Sequence, residues 1–263
     1  MFSRDFTGLS EIKIMKISII TVVYNNHKTI ATAIKSVLGQ RYPDVEYIII
    51  DGQSTDGTQE VIKSYGNAIS KFISEPDSGI YDAMNKGIQQ CTGDVIGILN
   101  SDDVYADAEV LPAVMNAFMA DEQLDLLYGD LVYVKSNDVE QVVRKWTSAP
   151  YYPRFFEDGH VPPHPSLFIK RSVYDQVGLF NLEMRLAADY EFMLRLFKLH
   201  SYQSKYLNRL LVKMRLGGAT NASIKNIVQG NLEILRAWKI NKLKAPFLLM
   251  PKRVAKRLMQ FAK

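Results

Sequence analysis

Four short runs rich in Ile, Val and other apolar residues, each divided from the next by a stretch with helical spacing, constrain this chain more than any other feature. The runs are Lys16–Tyr24 (KISIITVVY), Val45–Ile50 (VEYIII), Ile69–Ser74 and Asp94–Leu99 (DVIGIL). Near-continuous apolar strands need burial on both faces, which a parallel sheet covered by helices provides. Between the runs, His27–Leu38 carries Ile30, Ile34 and Val37 at helical spacing, Thr55-Asp56-Gly57 opens a second helix through Tyr65, and Ile80–Gln90 reads as a third. Strand and helix in this rhythm predict an α/β fold, a Rossmann-like, mostly parallel sheet flanked by helices. Ligands of such sheets bind outside the carboxyl ends of the strands. Polar residues follow three of the four runs, at Asn25-Asn26, Asp51 and Asp102-Asp103. The fold is therefore expected to gather them on one rim.

The 263 residues, 47% of them hydrophobic, suffice for one domain, or one domain with an appendage. A net charge of +4 is too mild to suggest nucleic acid as a partner. A lone cysteine, Cys91, excludes an internal disulfide and a cysteine zinc cluster, and points to a reducing, cytoplasmic location. Cys91 itself reads as a small buried residue near a helix end. No run is long enough to span a membrane. Residues 1–15 are expected to be a loosely ordered leader, 16–220 the main domain, and 221–263 a C-terminal helical extension.

The middle of the chain changes character. Leu126–Tyr128 and Leu131–Lys135, joined near Gly129-Asp130, suggest strands, as does Gln141–Lys145. Pro150–Pro165 reads as an irregular loop, and His164–Ile169 as a return to the sheet. Ala187–Leu199 is expected to be a helix with Phe192, Leu196 and Leu199 on one apolar face. Leu210–Leu216 is a late strand, and Ala222–Ile240 and Pro251–Lys263 are helices. In the last of these, Val254, Leu258 and Phe261 share one face while Lys252, Arg253, Lys256 and Arg257 occupy others; no acid occurs from Asn241 onward. Such a basic amphipathic helix suits peripheral contact with an anionic membrane, or packing on its own domain with a solvated basic face.

Three acidic positions carry candidate chemistry. Asp51, in D-G-Q-S-T-D-G after a buried strand, is placed to accept hydrogen bonds from a base or ribose, whereas turn chemistry and helix capping account for Asp56. Asp102 and Asp103 are adjacent carboxylates that repel each other unless a positive charge intervenes. Mg²⁺ or Mn²⁺, bridged to a substrate diphosphate, is the natural partner, and helix capping is the competing account. Asp189, in A-A-D-Y-E-F at the start of a helix, could deprotonate an acceptor hydroxyl, although an acid in a first helical turn also needs no function. Glu191 reads as structural.

Taken together, Ile17–Asn25 (ISIITVVYN), Asp51–Gly57 (DGQSTDG), Ser78–Gly87 (SGIYDAMNKG), Gly93–Asp103 (GDVIGILNSDD) and Ala188–Phe192 (ADYEF) resemble the family-2 glycosyltransferases of GT-A fold. The pattern is most similar to bacterial transferases that build exopolysaccharide, capsule or O-antigen. The resemblance implies an inverting transfer of sugar from a nucleotide diphosphate, UDP above all, to a hydroxyl of a glycan or lipid-linked acceptor. It implies that Thr21, Val23 and Tyr24 line the nucleotide pocket, that Asp51 accepts from the base, that Asp102 lies near the ribose and Asp103 on the metal, and that Asp189 is the base. It further suggests donor contacts for Asp82 and Lys86, an acceptor-side place for His164, and a loop at Arg215 and Gly217-Gly218 that closes over the diphosphate. For these four residues, helix capping or a plain strand end accounts for the residue types as well; His27 and His160 read as surface residues. The chain departs from the pattern at Asn100, where an acid is common, at Asn25-Asn26, where a Glu often follows the strand, and at Ala188, which is more often Glu. A nucleotidyltransferase is the rival class, but Tyr24-Asn25-Asn26-His27 is not a glycine- and basic-rich triphosphate loop. A non-catalytic nucleotide-sugar-binding module is the other alternative.

Overall fold

The computed structural model describes residues 14–217 and 223–260. The body of the expected leader, Gly218 of the Gly217-Gly218 pair, and Phe261 and Lys263 of the tail lie outside the described residues. The parallel half of the sheet consists of β1 (Ile17–Val23), β2 (Val45–Asp51), β3 (Lys71–Ser74) and β4 (Val95–Ile98), ordered β3-β2-β1-β4. Every residue of β1 is buried, as an unalternating run requires. Helices α1 (Ile30–Leu38), α2 (Thr58–Lys63) and α3 (Ile80–Gln90) connect these strands.

Beyond β4 the sheet is mixed rather than mostly parallel. β8 (Leu167–Lys170) lies antiparallel between β4 and β6 (Leu124–Lys135), and β9 (Gln203–Arg215) runs parallel to β6. The two-residue β5 (Val104–Tyr105) caps β9, and β7 (Asp138–Trp146) pairs with β6 as a hairpin. The two strands expected around Gly129-Asp130 are one strand, because the chain bulges there and its register against β9 shifts without breaking the ladder. Two further helices, α4 (Val110–Ala120) and α5 (Arg171–Val177), stand outside the expected elements.

One large core lies on the face shared by α3, α6 (Ala188–Leu194) and α7 (Ile224–Ile240), and includes Phe155, Phe156, Phe192, Ala237 and Trp238. The helix at Ala187–Leu199 turns π-helical from Arg195, which carries Leu199 out to solvent at 46% exposure rather than onto the apolar face. α7 is no appendage: Ile234, Ala237 and Trp238, with Leu249 of α8 (Leu249–Met259), belong to this core. Cys91 is buried at the end of α3 as expected, and burial pushes its thiol up to about 12.

Candidate active site

The carboxyl ends of β1, β2 and β4 form one rim, and short polar side chains lace its loops together. Asn25 takes the left-handed conformation (φ 48°) that Asn tolerates. Its N–H donates to Ser54 Oγ at 2.8 Å, and its Oδ1 accepts from Thr55 N–H at 2.9 Å. Asn26 Nδ2 donates to Ser101 Oγ at 2.9 Å, which ties the β1 loop to the loop after β4. Asp56 accepts from Thr58 and His27, as a turn-organising acid should.

Asp51 sits at the rim but is wholly buried. Its carboxylate accepts from Ser74 Oγ at 2.6 Å, Ser54 N–H at 3.0 Å and Ser54 Oγ. It does not project freely into the crevice; it braces the turn, with one lone-pair position left. The side chains of Thr21 and Val23 are buried in the fold rather than presented at the rim. Successive strand residues alternate faces, and these two turn into the sheet's helix-covered core, where Thr21 Oγ1 accepts from Tyr47 at 3.0 Å. Tyr24, just past the strand, is 66% exposed and packs over Gly52, where a Cβ would meet Tyr24 Cδ2 at 3.3 Å and collide with Asp77.

Asp82 and Lys86 serve the β3–α3 loop. Asp82 accepts from Ser78 N–H at 2.9 Å, and Lys86 reaches Glu75 at 2.9 Å and the Pro76 carbonyl at 2.6 Å. Their polar groups hold the start of α3, so the structure brings neither to the rim as a free donor contact.

The paired acids are differently placed. Asp103 is 1% exposed; its Oδ1 accepts from the backbone N–H of Arg215 at 3.2 Å, and its Oδ2 faces Asn100 Nδ2 at 3.3 Å. Burial, then Asp102, pushes its carboxyl well above the usual carboxylate range, and burial raises that of Asp102 as well. Arg215 is buried. At 8% exposure it closes β9, and its guanidinium donates to the Asp102 carbonyl (2.5 Å), the Ser136 carbonyl (3.1 Å) and Thr32 Oγ1 (3.1 Å). The guanidinium thus bonds two backbone carbonyls and a threonine hydroxyl, while only the backbone N–H of Arg215 reaches a carboxylate. Asn100 Oδ1, beside Asp103, is buried without a partner. Two carboxylates and an orphaned amide oxygen form a hard, all-oxygen donor set that suits Mg²⁺ or Mn²⁺. Among the described residues no third acid, His or Cys joins them, so further ligands would have to be water and substrate phosphate.

Asp189 opens α6. Its Oδ1 accepts from Tyr81 Oη at 3.0 Å, and Tyr81, in the first turn of α3, has its phenol held well above 10 by burial and by Asp189. The Tyr81 and His164 rings both pack on Phe180, at 5.6 and 5.5 Å. His164 is enclosed, its pKa lowered by burial with Asp189 acting against the shift. Phe180 thus lies between the His164 ring and the Tyr81 ring that bonds Asp189.

Profile comparison matches the glycosyl transferase family 2 model over residues 18–178. The chain is 26% identical over 211 residues to a PGL/p-HBAD biosynthesis glycosyltransferase of Mycobacterium bovis, covering 79% of this chain and 80% of that one. It is 32% identical over 181 residues to an uncharacterized glycosyltransferase of Mycobacterium tuberculosis, covering 68% of each. The chain belongs to glycosyl transferase family 2. Its fold matches that of Staphylococcus aureus TarS residues 1–349 in complex with UDP-GlcNAc (TM-score 0.66, 19% identity, 92% of this chain and 79% of that one). It also matches a Pyrobaculum calidifontis mannosyltransferase in complex with GDP-Man and Mn²⁺ (TM-score 0.60, 16% identity, 95% and 76%).

Three residues of this glycosyltransferase escaped the sequence reading. Tyr81 lies inside a motif that was recognised, but its partner is 108 positions away. Glu233 of α7 accepts the N–H groups of Leu186 and Ala187 at 2.8 and 2.9 Å, and so holds the entry to α6. Arg253 of α8 lays its guanidinium 4.7 Å from the centre of the Tyr190 ring, within the electrostatic reach of Asp189, and its Nη1 is enclosed without a partner. No local pattern marks Glu233 or Arg253, because both act across the fold.

Proposed function

We propose that this family-2 glycosyltransferase transfers a sugar from a UDP-sugar to a hydroxyl of a glycan or lipid-linked acceptor, with inversion, in the assembly of a surface polysaccharide. The observation that carries the reading is the Asp102–Asp103 pair with the orphaned Asn100 oxygen, joined through one carboxyl rim to the Asp189–Tyr81 pair. Asp102, Asp103 and Asn100 would hold a divalent cation, which when bound offsets negative charge on a leaving diphosphate. Tyr24 offers an exposed aromatic face for the base. Asp51 braces the turn beside it from within the fold. Asp189, oriented by Tyr81, takes the proton from the acceptor hydroxyl as that oxygen attacks the anomeric carbon. The nucleotide diphosphate leaves from the opposite side, and no enzyme-bound glycosyl intermediate forms. The fold likeness to a UDP-GlcNAc complex favours uridine, and the lone buried thiol suits a cytoplasmic setting.

Calorimetric titration of UDP with and without Mn²⁺, on the wild type and Asp103→Asn, tests the donor half. Metal-dependent binding that disappears in the variant is expected. Equal binding by both proteins would remove the metal role from Asp103, and failure of UDP with success of GDP would change the base. For the acceptor half, Asp189→Asn should keep UDP affinity and lose about 10²–10⁴-fold in transfer rate, the usual worth of a general base. Full transfer by that variant would dismiss the assignment.

A further inference from the structure

α8 is amphipathic in the direction opposite to a helix that completes a core. Leu249, Arg253, Lys256 and Gln260 recur at i, i+4, i+7 and i+11 and form the stripe turned toward the protein, where none is fully exposed. Arg253 covers Tyr190, Lys252 beside that stripe reaches Asp158 at 2.8 Å, and the Gln260 carbonyl accepts from Lys145 N–H of β7 at 3.3 Å. At Gly159 the fit is so close that a Cβ would stand 2.9 Å from Arg253 N. The inward face is thus basic and anchored. The opposite stripe continues the same periodicity through Phe247, Pro251, Val254 and Leu258, and it is apolar and bare. Phe247 is 98% exposed, Val254 56%, Leu258 65%, and their neighbours Leu248 and Met259 53% and 55%. α7 repeats the feature more weakly, with Val228, Leu232 and Leu235 outward at i, i+4 and i+7 and 53%, 61% and 40% exposed.

A contiguous apolar stripe on an anchored helix asks for an occupant. The charge around it narrows the choice. Between Asn241 and Lys263 there are seven basic residues and no acid. Lys239, Lys242, Lys244 and Arg257 are exposed beside the stripe. In a symmetric pair of chains this face would meet itself, setting basic residue against basic residue. A bilayer bearing anionic headgroups instead takes the apolar side chains below the headgroup level and pairs the flanking lysines with the headgroups above it. No described helix is long and apolar enough to cross a membrane.

We infer that the outward face of α8, with the Phe247-Leu248 turn before it, docks this protein in the plane of an anionic lipid surface. Arg253, on the opposite side of the same helix, covers the ring of Tyr190, the residue after Asp189, so docking would set the acceptor side of the proposed site toward the lipid. That arrangement suits a lipid-linked acceptor. Docking itself requires no substrate, so its test is independent of the transferase reading.

The experiment is flotation of the full chain with phosphatidylcholine vesicles, with and without phosphatidylglycerol. The variants are Val254→Ser/Leu258→Ser and Lys242→Glu/Lys244→Glu, with thermal unfolding and UDP titration as controls for folding and for the donor site. The wild type should float with the anionic vesicles only. Each variant should lose at least about ten-fold in partitioning while both controls stay unchanged. Wild type left at the bottom of the gradient with anionic vesicles, or both variants floating like the wild type, overturns the proposal. So does a stable dimer in sedimentation that Val254→Ser/Leu258→Ser dissociates, because a second copy would then cover the stripe.

Discussion

At the scale of single residues, the proposed site has acids that would meet substrate and groups that hold those acids in place. Tyr81 is of the second kind. Its hydroxyl donates to Asp189, and burial keeps it protonated, so it serves as a fixed donor rather than an acid. Tyr81→Phe should lower kcat by about ten-fold, since a hydrogen bond to a charged group is worth roughly 1.5–3 kcal/mol. KM for the donor should stay near the wild-type value, and steady-state kinetics distinguishes this from general damage, which would move both. His164 supplies a pH signature. Burial makes the folded protein bind a proton there less readily than the unfolded chain does. Its contribution to stability is therefore complete above a pH of about 6.5 and is lost as pH falls toward the lowered folded-state value. Thermal unfolding followed from about pH 8 to pH 5 should show an acid loss in the wild type that is smaller in His164→Gln.

At the scale of elements, α6 depends on α7. Trp238 Nε1 donates to Tyr190 Oη at 2.9 Å, Asn241 reaches Glu191 at 3.0 Å, and Glu233 accepts the two N–H groups at the entry to α6. Glu191, read from the outset as structural, is buried and forms a two-pronged pair with Arg195 at 2.8 and 3.0 Å. Glu233→Ala would orphan two enclosed donors, at a cost of about 1–3 kcal/mol each at most. The expected result is a clear fall in melting temperature and a loss of transfer larger than any loss of UDP affinity. Glu233→Gln, which keeps an acceptor oxygen, should recover part of both.

At the scale of the whole molecule, the long C-terminal helix completes the core rather than decorating it. A chain ending at residue 223 would expose the surface now covered by Ile234, Ala237, Trp238 and Leu249. Burial of an aliphatic or aromatic side chain is worth about 1.5–3 kcal/mol, so the loss approaches the whole net stability of a domain. That truncated chain should show no cooperative unfolding transition in calorimetry. A cooperative transition near the wild-type temperature would instead show that the first 223 residues fold without these helices.

The sequence alone determined the parallel half of the sheet, its polar rim, and the places of Asp102 and Asp103 after the fourth strand and of Asp189 at the start of a helix. Those rest on local signals: continuous apolar runs demand burial on both faces, and polar residues at their ends have only the rim to occupy. Tertiary structure decided where side chains point and what they touch. Thr21 and Val23 sit in matching motifs yet turn into the core, because strand alternation assigns faces only once the register is known. Lys86 and Arg215 look free in sequence, but their partners lie on other loops and strands. His160, expected at the surface, is half-buried and stacks on Phe155 at 4.9 Å. The last helix is the plainest case. Its periodicity shows two stripes, one basic and one apolar, but hydrophobicity cannot say which faces inward when buried rings and acids such as Tyr190 and Asp158 stand ready to receive the basic side.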